Sequence, residues 1–152
     1  MNPKFQMYSE LSEKIQSEVI RNFENWTGFL NTVSRLYKYS YYDQIMIYAQ
    51  RPDAKACAEY SLWNRRMNRY IKYGSKGIAL IDTRSYAPKL RYVFDISDTG
   101  ERKKSLSPYF WEINEYNKNS VIDMLNNEYD TDKNNLPDLF HNIANIISKD
   151  YY

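Results

Sequence analysis

The chain has 152 residues, room for one compact domain, and its 43% apolar and 26% charged side chains exclude wholesale disorder. Four glycines and five prolines exclude a collagen-like or linker-like chain, and a single cysteine, Cys57, excludes an internal disulfide or a thiolate-rich zinc site. Net charge is only +2 but unevenly spread: residues 1–50 carry five basic and five acidic side chains, residues 51–104 thirteen and six, residues 105–152 three and eight.

In chain order, residues 1–8 read as a loose leader. Ser9 caps a helix predicted to run to about Asn25, with Leu11, Ile15, Val19 and Phe23 at four-residue spacing. A second helix carries Trp26, Phe29, Leu30, Val33, Leu36 and Tyr37 on one face. Tyr39-Ser40-Tyr41 breaks the pattern, and a third helix aligns Tyr42, Ile45, Met46 and Ala49 before Pro52 stops it. A fourth helix is expected over Lys55–Asn68, with Ala56, Tyr60, Trp63 and Met67 as its apolar stripe. Gly74 and Gly77 mark a turn, after which Ile78-Ala79-Leu80-Ile81 and Tyr92-Val93-Phe94-Asp95-Ile96 read as strands of a long-looped hairpin. Two strands alone are marginal, so they must pack on the helices. Val121, Ile122 and Leu125 belong to one further helix. Leu139, Phe140, Ile143, Ile146 and Ile147 belong to another that starts at Pro137, after an Asn/Asp-rich loop over 126–135. The expectation is a single, mostly helical α+β domain over 1–152 with a small antiparallel hairpin or sheet in its middle, a core over 9–104 and a helical C-terminal part over 105–152.

No run reaches the ~20 apolar residues of a membrane span, and the N-terminus has no apolar signal core, so the chain reads as cytoplasmic. No phosphate loop, nucleophile elbow, zinc-binding helix or dinucleotide fingerprint is present. The only soft metal ligands are Cys57 and His141, in different segments. No enzyme, cofactor or metal site is expected. The informative stretch is Trp63–Lys76, where basic residues alternate with aromatics. On a helix, Arg65, Arg66 and Arg69 share a face, and Lys72 and Lys76 extend the basic line. Such a stretch is either a track for phosphates, with tyrosines as stacking platforms, or a solvated helix face. The basic middle third is likewise a polyanion footprint unless the acidic tail folds beside it and cancels its field. Sixteen tyrosines fit a contact surface, although AT-rich coding also inflates tyrosine. Tyr37 and Tyr42 align with helix stripes and read as packing; Tyr39 and Tyr41 lie in the break and read as exposed.

Several motifs in order carry a family resemblance. They are Trp26…Phe29-Leu30, Tyr39-Ser40-Tyr41-Tyr42-Asp43-Gln44, Ile47…Ala49-Gln50-Arg51-Pro52-Asp53-Ala54, Trp63, Lys72-Tyr73-Gly74-Ser75-Lys76-Gly77-Ile78 and Val93-Phe94-Asp95-Ile96-Ser97-Asp98-Thr99. Over residues 20–100 the chain resembles the N-terminal domain of ArdC anti-restriction proteins. The resemblance implies a single-stranded DNA-binding module of a plasmid or conjugative element. The metalloprotease-like second domain of full-length members is not expected, for want of a His-Glu-x-x-His motif. On this reading Arg65, Arg66, Arg69, Lys72 and Lys76 track the backbone. Tyr39, Tyr41, Gln44, Tyr70 and Tyr73 are the remaining candidate contacts. The alternative is a protein that binds and inhibits a host defence nuclease, a restriction or CRISPR effector, with the acidic tail as a DNA mimic.

Overall fold

The computed structural model describes residues 2–84 and 86–151. It is α+β, mostly helical with small antiparallel sheets. The chain forms two compact units, residues 1–109 and 110–152.

The first unit opens with helix α1 (Pro3–Val19). From Pro3 onward the expected leader is therefore helical. Asn2 accepts from the Lys4 N–H and Pro3 takes the first helical position, a start signal stronger than Ser9. The helix ends at Ile20, short of the expected Asn25, because Asn22 caps the next helix by accepting from the Asn25 N–H. Helix α2 (Phe23–Val33) opens within residues expected in the first helix and stops before Leu36 and Tyr37, expected on its face; helix α3 (Tyr41–Gln50), capped by Ser40, follows the sequence expectation. Phe29 and Ile45 close with Val19 into one apolar cluster.

Strands β1 (Cys57–Ala58), β3 (Ile78–Asp82) and β4 (Lys89–Asp95) form an antiparallel sheet in the order β1-β4-β3; strands β2 (Arg69–Ile71) and β5 (Thr99–Glu101) form a separate antiparallel ribbon. The β3–β4 hairpin pairs Ile78 with Val93 through to Asp82 with Lys89. Its inner face buries Ile78, Leu80 and Val93 against Leu36, Met46, Ile47 and Ala54. The outer edge of β3 is met by a side chain. The Gln50 amide donates to the Ala79 carbonyl and accepts from the Ala79 N–H, both at 2.9 Å.

The expected fourth helix does not form. Its first residues are extended, because the buried Asp95 carboxylate accepts from the Lys55 and Ala56 N–H groups at 2.7 and 2.9 Å. What remains is one π-helical turn, Leu62–Arg66, closed by the Met67 N–H on the Leu62 carbonyl. Asn68, at φ 52°, turns the chain out of it into β2. Local apolar spacing favours a helix here, and a tertiary bond overrides it.

The second unit is a helical hairpin of α4 (Lys118–Tyr129) and α5 (Leu136–Tyr151). Ile122, Leu139 and Ile143 are its core, with Leu125, Tyr129 and Leu136 packed around them. Asn126 ties the loop, accepting from the Thr131 hydroxyl and the Lys133 N–H and donating to the Lys133 carbonyl.

Asp95→Ala strands the Lys55, Ala56 and Ser97 donors. At ~1–3 kcal/mol per stranded buried group, the first unit should lose at least about 3 kcal/mol in a denaturant titration. Burial pushes the Asp95 carboxyl up, but the Ser97 hydroxyl and the Ser97, Ala56 and Lys55 N–H groups outweigh it and hold it below the ordinary carboxylate value. Its contribution is complete above the unfolded value of about 3.9 and is lost as pH falls through that value toward the folded one. Melting temperature should therefore drop over this acid range more steeply in the wild type than in Asp95→Asn; parallel profiles would remove Asp95 from this role.

Candidate nucleic-acid interface

The exposed basic groups are what the ion pairs leave over. In the middle third, Asp53 and Asp98 pair with Arg51, Asp82 with Arg84, Glu101 with Arg69, and Glu59, with Asp43, pairs with Arg91. Asp95 is saturated by N–H and hydroxyl donors. Four arginines thus absorb the acids. Among the described residues Lys55, Arg65, Arg66, Lys72, Lys76, Lys89, Arg102, Lys103 and Lys104 have no salt bridge. This surplus, concentrated around the β2–β5 ribbon, can hold a polyanion.

The ribbon pairs Arg69 with Glu101, Tyr70 with Gly100 and Ile71 with Thr99. Two backbone bonds prolong its pairing, Lys72 N–H to the Asp98 carbonyl and Leu106 N–H to the Met67 carbonyl, each 2.8 Å. Side chains alternate across a strand, so Arg69 and Tyr70 point to opposite faces. Arg69 is only 6% exposed. Its Nε donates to the Thr99 hydroxyl at 2.7 Å and its NH1 to Glu101 at 3.0 Å. The expected helical face of Arg65, Arg66 and Arg69 is therefore absent, and Arg69 holds the ribbon together from within.

Tyr70 lies on the open face. Its ring rests on Gly100, where an added Cβ would collide with it. The Arg102 guanidinium sits 5.5 Å from the ring centroid. Arg102 is oriented by Asn64, whose carbonyl accepts from NH1 at 2.9 Å, and the Asn64 amide donates in turn to the Tyr60 hydroxyl at 2.9 Å. A chain Tyr60–Asn64–Arg102–Tyr70 results, with Tyr60, Tyr70 and Arg102 exposed and Asn64 half-buried between them. Arg65 and Arg66 follow Asn64 on the π-helical turn, and Lys103 and Lys104 follow Arg102; all four are exposed. The turn beneath is braced. The Ser105 hydroxyl accepts from the Arg102 N–H and donates to the Asn68 carbonyl, and the Asn68 amide donates to the Lys103 carbonyl at 3.0 Å. Asn68 and Lys104 both hold left-handed backbone, at φ 52° and 70°. Strain of this kind persists only where the surroundings fix it, and it clusters at functional sites. At the opposite end of β2, Lys72, the fully exposed Tyr73 and Lys76 surround Gly74, at φ 81°.

The other tyrosine-motif residues lie elsewhere. Tyr39, expected exposed, packs on the core and donates its hydroxyl to the Cys57 carbonyl at 2.7 Å; burial pushes its phenol well up. Gln44 donates to the Leu36 carbonyl. Tyr41 stacks edge-on against Phe29. Tyr37 and Tyr42, expected to pack, are exposed. Sequence reading does not bring Arg102, Tyr60 and Asn64 to this surface. The run Arg102-Lys103-Lys104 was the available signal, but its pairing opposite Tyr70 depends on β5, which is too short to announce itself.

The Cys57 thiol is pushed up to about 12 by burial, with the Asp95 charge adding to it, so it stays protonated at neutral pH. Among the described residues no group of three or more His, Cys, Asp or Glu side chains could hold a metal ion. No helix among them is long and apolar enough to cross a membrane. No protein-family model, curated protein or solved structure matches the chain.

Trp63 is buried on the π-helical turn and donates its indole N–H to the Phe94 carbonyl at 2.8 Å. Trp63→Ala should cost about 3–5 kcal/mol, as large core truncations do. Arg69→Ala should cost about 1–3 kcal/mol through the stranded Thr99 and Glu101 bonds, while Arg65→Ala and Arg66→Ala should stay within ~0.5 kcal/mol. Chemical denaturation of the four variants ranks them; an Arg69 variant as stable as the Arg65 one would contradict the assignment.

Proposed function

We propose that the chain is a non-enzymatic module that binds single-stranded nucleic acid in the cytoplasm and belongs to a plasmid or conjugative element with an anti-restriction role. The observation that carries the reading is the exposed Tyr70–Arg102 pair, set on Gly100 and flanked by the unpaired Arg65, Arg66, Lys103 and Lys104. An unpaired base has a π-face that stacks on a tyrosine ring or a guanidinium plane, and a duplex hides that face. Phosphates on either side meet the exposed cations. Lys72, Tyr73 and Lys76 continue the track at the far end of β2. Of the residues expected from sequence, Arg69, Tyr39 and Gln44 serve the fold in this reading, and Arg102 takes a contact role. The resemblance to ArdC N-terminal domains supplies the biological setting.

Binding is measured by titrating labelled single-stranded and duplex DNA of equal length at several salt concentrations. The single strand should bind more tightly. Arg65→Ala with Arg66→Ala should lower the slope of log affinity against log salt by about 1.4, at ~0.7 per phosphate contact. Tyr70→Ala should weaken binding by ~1–3 kcal/mol and leave the slope unchanged, because stacking releases no counterions. Gly100→Ala, which drives the ring off its seat, should act in the same direction. Absence of binding at low salt would favour the nuclease-inhibitor reading, which rests on the acid excess of residues 110–152, three basic against eight acidic side chains.

A further inference from the structure

The helices of the first unit carry a second surface, unrelated to the basic ribbon. On α2, Phe23, Trp26 and Leu30 fall at i, i+3 and i+7, on one face, and all three are exposed. That face joins the start of α3 through ring contacts. Trp26 and Tyr41 both touch Phe29, at 5.8 and 6.0 Å between centroids, and Tyr41 touches Tyr42 at 5.8 Å. Phe23 is 82% and Tyr42 68% exposed. We infer that this aromatic face is the contact through which two copies of the chain associate about a two-fold axis.

Charge selects the occupant. Neither α2 nor α3 contains a lysine, arginine or histidine. A polyanion or an anionic lipid surface requires cations, so neither fits here. The acids number two: Glu24, and Asp43, which is engaged by Arg91 at 2.7 Å. A face almost free of charge offers nothing to attract a charged partner and nothing to repel its own copy. An isologous contact requires that self-complementarity, and interface cores between identical chains are depleted in charge and rich in aromatic residues.

Area agrees. At ~150–250 Å² for a fully buried aromatic, the exposed parts of Phe23, Trp26, Tyr41 and Tyr42, with Leu30, amount to on the order of 500 Å². Counted on both copies the total is on the order of 1,000 Å², where specific interfaces begin. A patch of this size matches the largest apolar patch of a typical monomer, which is often a functional contact.

Sedimentation velocity of the full chain from ~1 to ~100 μM, spanning the range of weak to moderate self-association, decides the matter. The weight-average mass should rise toward twice the monomer mass. It should do so equally at high salt, because an apolar contact is not screened. Phe23→Glu with Tyr42→Glu should raise the dissociation constant at least about tenfold, with an unchanged melting temperature. Phe23→Ser makes the same test if the double variant melts early. A monomer throughout the range, or variants that dimerise like the wild type, would overturn the inference.

Discussion

The Asp95 carboxylate is the constraint on which the first unit depends. It is 2% exposed and carries no salt bridge of its own among the described residues. It is instead held by N–H groups from two distant segments. Lys55 and Ala56 come from the chain leaving α3, and Ser97 from the turn that follows β4. Asp98 completes the corner, accepting from the Asp95 N–H and taking Arg51 in a forked contact at 3.1–3.3 Å. The end of α3, the short β1 and the exit from β4 are thereby fixed at one point. β5 begins at the next residue, so the placement of the ribbon opposite Tyr70 follows from this corner. A buried carboxylate is tolerable only when its lone pairs are filled, and here they are.

The arginines of residues 51–104 fall into two populations. Arg51, Arg69, Arg84 and Arg91 are spent on carboxylates, and all but the exposed Arg84 join segments distant in the chain. Arg65, Arg66 and Arg102 are not, and they lie where the chain turns sharply. Arg69 and Arg102 show how little sequence distinguishes the two groups. Arg69 sits among aromatics in the most basic stretch and is internal. Arg102 begins a plain lysine-rich turn and lies over the exposed Tyr70 ring.

Long periodic segments were legible in the sequence. α3, α4, α5, the β3–β4 hairpin and the body of α2 stand where their spacing put them, because each buries a face that its own pattern defines. Residues 55–68 were not legible, because the bond that extends them comes from Asp95, some 40 positions away, and an apolar spacing that suits a helix survives in the π-helical turn alone. β1, β2 and β5 have two or three residues each, too few for a period. The tyrosines misled for a related reason. Tyr37 and Tyr42 sit at positions that extrapolate a helix stripe beyond the surface it covers, while Tyr39 leaves the break and turns inward to reach the Cys57 carbonyl. In the candidate site the basic stretch was visible, but the pairing of Tyr70 with Arg102 was not. The motif residues quoted from the sequence are largely accounted for by architecture: Ser40 caps α3, Gln44 and Gln50 satisfy carbonyls, Arg51 meets Asp98, and Asp95 closes the corner.

Gln50 has a consequence for how the sheet can change. An edge strand invites pairing with any extended chain that approaches it. At Ala79 the Gln50 amide already occupies the donor and the acceptor that such a chain would use. One side chain thus impersonates a neighbouring strand, and it does so from a helix that is itself locked to the core. At Ala79 the β3 edge is thereby closed to an added strand, whose register would have to break at that residue.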